Sequence, residues 1–520
     1  MGDDIDEADV YEVEQAIQAA GGFGKFQWLF CTITILCFVP AGFLTFNLNL
    51  LTLKQVMQCL NADGDLVNCD DAGIDPCDGR NLKPGAVPDF TDTTSLKNWI
   101  TELDMYCVAP YQVSLFGSIY FAGYLIGSLL FGYTSKFGRR INLIVSSFCT
   151  VATVASIVFI TNVYIRYLGM FFLGVWTIQK VAAYIICIEI CPFKKQYILA
   201  TIVLAFDYSP YPISSLYFRF INNNWVYFGY AVIAWTIFLS ICSLFVPESP
   251  RFLADNGDYE QARKLVDRMA RMNGSDMYMK RWRFADEVQT EEDLLKNKKG
   301  MIINQSSDKN DENKILLDDE QEDIIAEQLA QKKNPFKQMI QKPRLAINLV
   351  ILTICWVACC FNFNMLSYNT KNLGGNIFLN SSLIALAGVG GKFITAGIRK
   401  YFSSKVSMII CFNVSFIFGF GLIFFNQGWI VSTCIVLVLM GVAGGFTLLF
   451  FLNNEFFPPL LVGFAFSVTQ AVSRTVTILS YLMTDFKHPI PMILFCSITV
   501  AALLPLLFLK KPSYVQNTPS

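Results

Sequence analysis

Apolar residues run along this 520-residue chain in long blocks, not in the alternating pattern of a half-buried strand or the stripe of a surface helix. Blocks of about 20 residues or more, each long enough to cross a hydrocarbon core roughly 30 Å thick as a helix, recur along its whole length. They lie near 27–50, 111–134, 141–161, 165–191, 197–220, 226–246, 344–368, 377–400, 405–426, 428–452, 460–484 and 488–509, twelve in all. A helix satisfies its own backbone polar groups in lipid, so the pattern predicts an all-α polytopic membrane protein. Six spans precede a polar segment and six follow it. The chain divides into an N-terminus 1–26, a six-helix half 27–246, a linker 247–343, a second six-helix half 344–509 and a tail 510–520.

Composition agrees with this division, since 54% of residues are hydrophobic and only 16% charged. The net charge of −1 says less than where the charges sit. Lys136, Arg139 and Arg140 follow the second span, Lys194 and Lys195 the fourth, Arg399, Lys400 and Lys405 the eighth, and Lys510 and Lys511 the last. The linker is also rich in Lys and Arg, so the positive-inside rule places these loops and both termini in the cytoplasm. Residues 51–110 then form a large extracellular loop.

That loop carries Asp63, Asp65, Asp70, Asp71, Asp75 and Asp78 with four cysteines, Cys59, Cys69, Cys77 and Cys107. An even number on the oxidising side predicts two disulfides, in one of three pairings. The other cysteines fall mostly in or beside spans, as small apolar packing residues. No metal-ligand spacing occurs, and the single histidine, His488, stands at a span end. The acidic start, MGDDIDEADVYEVEQAIQ, lacks the basic start and apolar core of a signal peptide, and Gly2 fits the myristoylation pattern poorly.

A six-plus-six arrangement about a cytoplasmic linker is that of a transporter built from two similar halves with its site between them near the midplane. Gly123-x-x-x-Gly127 and Gly441-x-x-x-Gly445 offer faces on which helices approach closely. Pro210 and Pro212 predict a break in the fifth span, of the kind that lines a cavity. In the linker, Ala262, Leu265, Val266 and Met269 make one apolar stripe of a helix that packs beneath the membrane. Between 286 and 333 the chain turns polar and acidic, which predicts a mobile connector with a short helix near 317–331.

Arg474 stands close to the middle of the eleventh span, where a charge costs about 2.5–3.5 kcal/mol on insertion scales. An intramembrane ion retained at that cost points to function. Family resemblance sharpens the reading. VPESPRFLADNGDYEQARKLV at 246–266 resembles the segment after the sixth helix in the organic anion and cation transporter family, solute carrier family 22-like, of the major facilitator superfamily. GGFGKFQ at 21–27, FGYTSKFGRR at 131–140 and LSYNTKNLGGNIFLN at 366–380 are similar to further stretches of that family. The resemblance implies a major facilitator fold that alternates between inward-open and outward-open states, in the plasma membrane or an organelle. Its anion carriers place Arg in the eleventh helix, where cation carriers tend to place Asp, and often Lys in the eighth. With Arg474 and Lys392 this chain is of the anion type by that resemblance.

A cation attracts a carboxylate far more strongly in a poorly hydrated cleft than in water. Asp207, in the fifth span, is the acid able to neutralise Lys392 or Arg474 as a structural pair, yet two cations against one acid leave a surplus. Asn47, Asn49, Tyr120, Asn362 and Asn364 are candidates to orient cargo, against an alternative role in helix packing. Gating candidates are Arg139, Arg140, Glu189, Glu248, Arg251 and Glu455. Here the chain departs from its relatives. The loop starting at Gly132 is one residue short and has lost its acidic member, and Ser403, Ser404 and Lys405 stand where Gly-Arg-Arg is usual. Gln196 and Val462 replace expected arginines, Trp225 lacks its following arginine, and the outer loop has no glycosylation sequon. Such losses predict a weakened cytoplasmic latch.

These observations predict a secondary transporter of small organic anions, carboxylates among them, that works by alternating access. Two alternatives stand beside it: a transporter-shaped scaffold or receptor, motivated by the eroded latch, and a cation or zwitterion carrier with Asp207 as the attracting group. No nucleotide loop, nucleophile–base pair or metal cluster marks an enzyme or calls for a cofactor. The partners expected are a small organic ion and the lipid bilayer, with no nucleic acid.

Overall fold

The computed structural model describes residues 9–61, 64–288, 343–425, 427–457 and 459–510. A strand β1 (Asp9–Tyr11) and helix α1 (Val13–Ala19) precede the first membrane passage. That passage is α2 (Lys25–Cys37), α3 (Gly42–Thr45) and α4 (Leu48–Leu51), interrupted at Pro40, which has no N–H to continue the helix. The first half continues with α5 (Trp99–Glu102), α6 (Pro110–Thr134), α7 (Arg139–Phe159), α8 (Val163–Val175) with α9 (Ile178–Glu189), α10 (Phe193–Phe206) with α11 (Pro210–Leu216), and α12 (Trp225–Ser243). Helices α13 (Pro250–Asp255) and α14 (Tyr259–Asn273) open the linker. The second half is α15 (Pro343–Asn369), α16 (Ile377–Ile398), α17 (Ser404–Phe424), α18 (Gly428–Phe456), α19 (Pro459–Leu482) and α20 (Ile490–Leu506).

The twelve passages make two six-helix halves. Among the described residues nine helical segments are long and apolar enough to cross a membrane. The other three passages are the interrupted α10–α11, the more polar α19 and the short α20. Close approach within each half uses glycine. A Cβ on Gly123 would meet the Phe171 carbonyl at 1.9 Å, and one on Gly441 the Cys411 carbonyl at 2.5 Å, so helices 2 and 4, and 9 and 10, touch backbone to backbone.

The outer loop departs from an all-α reading. It holds a three-stranded sheet, β2 (Met57–Leu60) between β3 (Leu66–Asn68) and β6 (Val87–Pro88), and a hairpin of β4 (Cys77–Asp78) and β5 (Asn81–Leu82). Cys59 pairs with Cys69 and Cys77 with Cys107, which selects one of the three pairings. The loop is pinned to the first half by fully buried Arg166, whose guanidinium donates to Glu102 at 3.1 Å and lies over the Trp99 and Trp225 rings. Trp225 Nε1 also donates to Glu102, at 2.6 Å.

On the cytoplasmic side the α14 stripe Ala262, Leu265, Val266 and Met269 is buried, with Ala270. Asn273 at its end accepts from the Phe26 N–H at 2.9 Å, fixing it under α2. Strand β7 (Trp282–Phe284) pairs in parallel with β1. The expected connector, from 289 onward, and its helix at 317–331 lie outside the described residues.

Several hydrogen bonds among the described residues join the halves at their outer ends. Asn49 Nδ2 donates to Thr370 Oγ1 at 3.0 Å and to Ser381 Oγ at 2.8 Å, Thr52 to the Tyr368 hydroxyl at 3.2 Å, and Ser114 to Asp485 at 2.5 Å. An apolar cluster also spans both halves there, joining Leu50, Phe116 and Phe121 to Tyr368, Phe378 and Tyr481. At the inner ends the ion pairs Arg139–Glu189, Arg251–Glu14 and Arg399–Glu455 each stay within one half or its cytoplasmic cap. The molecule is closed at its outer face.

Candidate functional site: a cationic cleft at a broken helix

Pro210 decides the local geometry of the fifth passage. The regular bonding of α10 ends at Phe206, and the Tyr208 N–H turns to the Ala205 carbonyl at 3.2 Å. The Leu204 carbonyl, one step back, is thereby left for a side chain: Lys392 Nζ, from α16 of the other half, donates to it at 2.7 Å. The Lys392 ammonium also lies over the Tyr208 ring, 4.7 Å from its centre, and is only 2% exposed. Gly388, one turn earlier, lets that ring in, since a Cβ there would meet Tyr208 at 2.4 Å.

Asp207, at the same break, is taken by a residue that the sequence reading did not single out. Lys180 of α9 donates to its carboxylate at 2.6 Å and packs over the Phe46 and Phe38 rings at 4.7 and 5.2 Å. Asp207 therefore does not serve as the ion-pair partner expected for Lys392 or Arg474. The signal was present, for Lys180 is a charge in the interior of the apolar run 165–191, the same anomaly that marks Arg474.

Arg474 projects from α19 against α6, where its guanidinium stacks 4.4 Å from the centre of the Tyr124 ring and meets the Tyr124 hydroxyl at 3.4 Å. Its Nε is buried without a hydrogen-bond partner. Among the described residues neither Lys392 nor Arg474 makes an ion pair with a carboxylate. Lys180, Lys392 and Arg474 against Asp207 leave a formal net charge of +2 at the site. Buried donors and charges without partners are costly, and an anionic ligand removes that cost.

The remaining candidates separate. Tyr120 is at the site, its hydroxyl bonded to Thr177 at 3.2 Å and within electrostatic reach of Lys180 and Arg474. Asn47 braces the break by donating to the Pro210 carbonyl at 3.4 Å. Asn49 belongs to the outer closure and, together with Asn364, also lines a cavity just beneath it with Phe46, Tyr211, Tyr368 and Tyr481. That cavity holds about 10 Å³, room for about one water, so the outer chamber is collapsed in this state. Asn362 turns away from the cleft and ties helix 7 to helix 12 through Thr499 at 2.9 Å, a packing role.

The gating candidates hold the cytoplasmic ends of each half. The Glu248 carboxylate accepts the Arg139 and Arg140 N–H groups, each at 3.1 Å, and so caps the N-terminus of α7. Gly138 there has φ +110°, and a Cβ would strike Glu248 at 2.3 Å. Arg251 pairs with Glu14, which also accepts the Phe193 N–H at 2.9 Å; the sequence reading missed Glu14. Two of the departures from family pattern are filled by neutral donors. Gln196 reaches the Ile188 and Cys191 carbonyls at 3.0 Å, and Ser404 donates to Glu455 at 2.6 Å.

The sequence matches the family model of the Major Facilitator Superfamily over residues 84–481. It is 23% identical to solute carrier family 22 member 21 of Mus musculus, over 81% of this chain and 70% of that protein. It is 22% identical to organic cation/carnitine transporter 2 of Homo sapiens, over 85% and 76%, and 23% identical to organic cation/carnitine transporter 4 of Arabidopsis thaliana, over 91% and 83%. Among solved structures, the inward-open xylose transporter XylE from E. coli superposes with a TM-score of 0.57 at 13% identity, covering 93% of this chain and 94% of that one. A D-xylose-proton symporter gives 0.56, also at 13% identity, covering 95% and 99%. At that identity the two structures share its fold.

Proposed function

Because this chain belongs to the Major Facilitator Superfamily, and is thus a multi-pass secondary transporter and not an enzyme, we propose that its cargo is a small organic anion, carboxylates included. The observation that carries this reading is the surplus of cations. Lys392 and Arg474 face the junction of the halves without a carboxylate partner, and the nearby carboxylate is already held by Lys180. At about 4 Å and an effective dielectric near 20, a unit charge pair is worth about 4 kcal/mol before desolvation, enough to select the sign of the cargo. The Arg474 Nε and the Lys392 ammonium would exchange a missing or borrowed partner for the cargo's oxygens. The Lys392–Leu204 bond joins the halves, so cargo that takes the ammonium also loosens helix 8 from helix 5 and biases the alternation. We place the protein in the plasma membrane, as its resemblance implies.

One observation favours a second reading, a zwitterion. The named relatives include carnitine transporters, and carnitine joins a carboxylate to a fixed cation. Asp207 and the stacked rings of Phe46 and Tyr211, 5.3 Å apart, supply a negative charge and aromatic faces for such a cation. Uptake by the full chain in proteoliposomes separates the readings. Flux of labelled organic anions that is lost in Lys392→Ala and Arg474→Ala supports the first. Flux confined to zwitterions or cations and lost in Asp207→Asn supports the second, and flux of no solute returns the scaffold.

A further inference from the structure

Three cations from three helices converge on one carboxylate. Asp207 lies 2.6 Å from the Lys180 ammonium and within electrostatic reach of Lys392 and Arg474. The other titratable groups around the cluster are tyrosines, Tyr208 and Tyr211 of the Asp207 passage and Tyr120 and Tyr124 of α6, with the thiols of Cys359 and Cys360 beside Tyr208 and that of Cys360 beside Arg474. Asp207 is thus the one acid facing this cluster among the described residues. Both members of this ion pair are supplied by the first half, on adjacent passages, whereas Lys392 and Arg474 belong to the second half.

We propose that Asp207 is a specificity-determining residue that sets the number of negative charges the cargo carries, by acting as a built-in ligand for Lys180. This rests on the anion-cargo reading above. A tethered carboxylate competes at a high effective concentration, so a second anionic group on a cargo does not displace it from Lys180. Cargo meets two open cations, both on the second half, and the third is withheld. Replacing Asp207 by Asn preserves shape and releases Lys180 as a third open position, so cargo with two separated anionic groups gains a partner that cargo with one does not use. The Lys180 ring contacts with Phe38 and Phe46 keep its ammonium at the cleft when Asp207 is gone.

The test is equilibrium binding of benzenesulfonate and benzene-1,3-disulfonate to the purified full chain, two probes ionised at every working pH. In Asp207→Asn the affinity for the disulfonate relative to the monosulfonate is expected to rise by roughly tenfold or more, as the strength of close charge pairs requires. Asp207→Glu keeps the wild-type ratio, and the double variant Lys180→Met/Asp207→Asn returns to it, because the third cation is removed with its partner. A folded Asp207→Asn with an unchanged ratio overturns the assignment, and so does an equal shift in the double variant. Should Asp207→Asn not fold, Lys180→Met is compared with the double variant. Asp207 then loses its partner and occupies Lys392 or Arg474, so the monosulfonate binds more weakly to the single variant; equal affinities overturn the assignment. Wild-type protein that binds neither sulfonate overturns the anion-cargo reading itself, whereas binding without a change of ratio overturns only the role of Asp207.

Discussion

Replacing Arg474 by Gln separates a cargo-binding cation from a structural one. The substitution removes the charge and keeps most of the volume, with an amide that ends two bonds short of the nitrogen meeting the Tyr124 hydroxyl. In the empty protein Arg474 has no carboxylate partner and a buried Nε without a bond, so removing it breaks no ion pair and relieves an unmet donor. The melting temperature should therefore hold or rise. Binding of an anion should weaken. The gross attraction of about 4 kcal/mol at 4 Å and effective dielectric 20 is reduced by desolvation of the cargo and by the partial exposure of Arg474, leaving about 1.5–3 kcal/mol. That corresponds to a loss of roughly 10- to 150-fold in affinity. Titration of benzenesulfonate followed by thermal shift reads both quantities in one experiment. A variant that melts several degrees lower yet binds the sulfonate as the wild type does would show that Arg474 holds the fold, and the reasoning from unpaired charge would fail.

Two other sites make different demands. Arg166→Met leaves Glu102 without its cation beneath the outer loop, and breaking a buried pair costs about 3–5 kcal/mol, so the melting temperature of the purified chain should fall clearly. Recovery in Arg166→Met/Glu102→Gln is expected to be partial, because the second substitution also alters the Trp225 indole bond to Glu102; no change in either variant would contradict the pinning role. Asp485, just outside helix 11, has its carboxyl raised by burial, with Ser114 and Lys371 opposing that effect. The closed outer gate thus holds the proton more tightly than the hydrated open one. Closure gains fully below the open-state value and loses that gain as external pH rises through the closed-state value. Labelling of a cysteine introduced at Thr370 by an impermeant thiol reagent should decrease with acid relative to Asp485→Asn, the variant that fixes the protonated form; parallel pH curves for the two would refute it.

Much of this architecture was legible in the chain. Hydropathy is a local property, and a 20-residue apolar block has one way to satisfy its backbone in lipid, so twelve passages, their division about the linker and the break at Pro210 followed directly. The buried stripe of α14 followed from its period for the same reason. Arg474 and Lys392 were visible because a charge in an apolar run is conspicuous wherever it points. Partnership was not visible. Asp207 is 27 residues from Lys180, and the Leu204 carbonyl is 188 residues from Lys392, distances along the chain that only helix packing closes. Asn362 and Asn364 sit two residues apart, yet one packs against helix 12 and the other lines the chamber, because a helix turns roughly 200° over that step. The outer closure likewise joins Asn49 to Thr370 and Ser114 to Asp485, more than 300 residues apart. Composition therefore determined that charges lie in the membrane, and the tertiary structure decided which are spent on each other and which stay open, since pairing depends on distances of a few ångströms between helices.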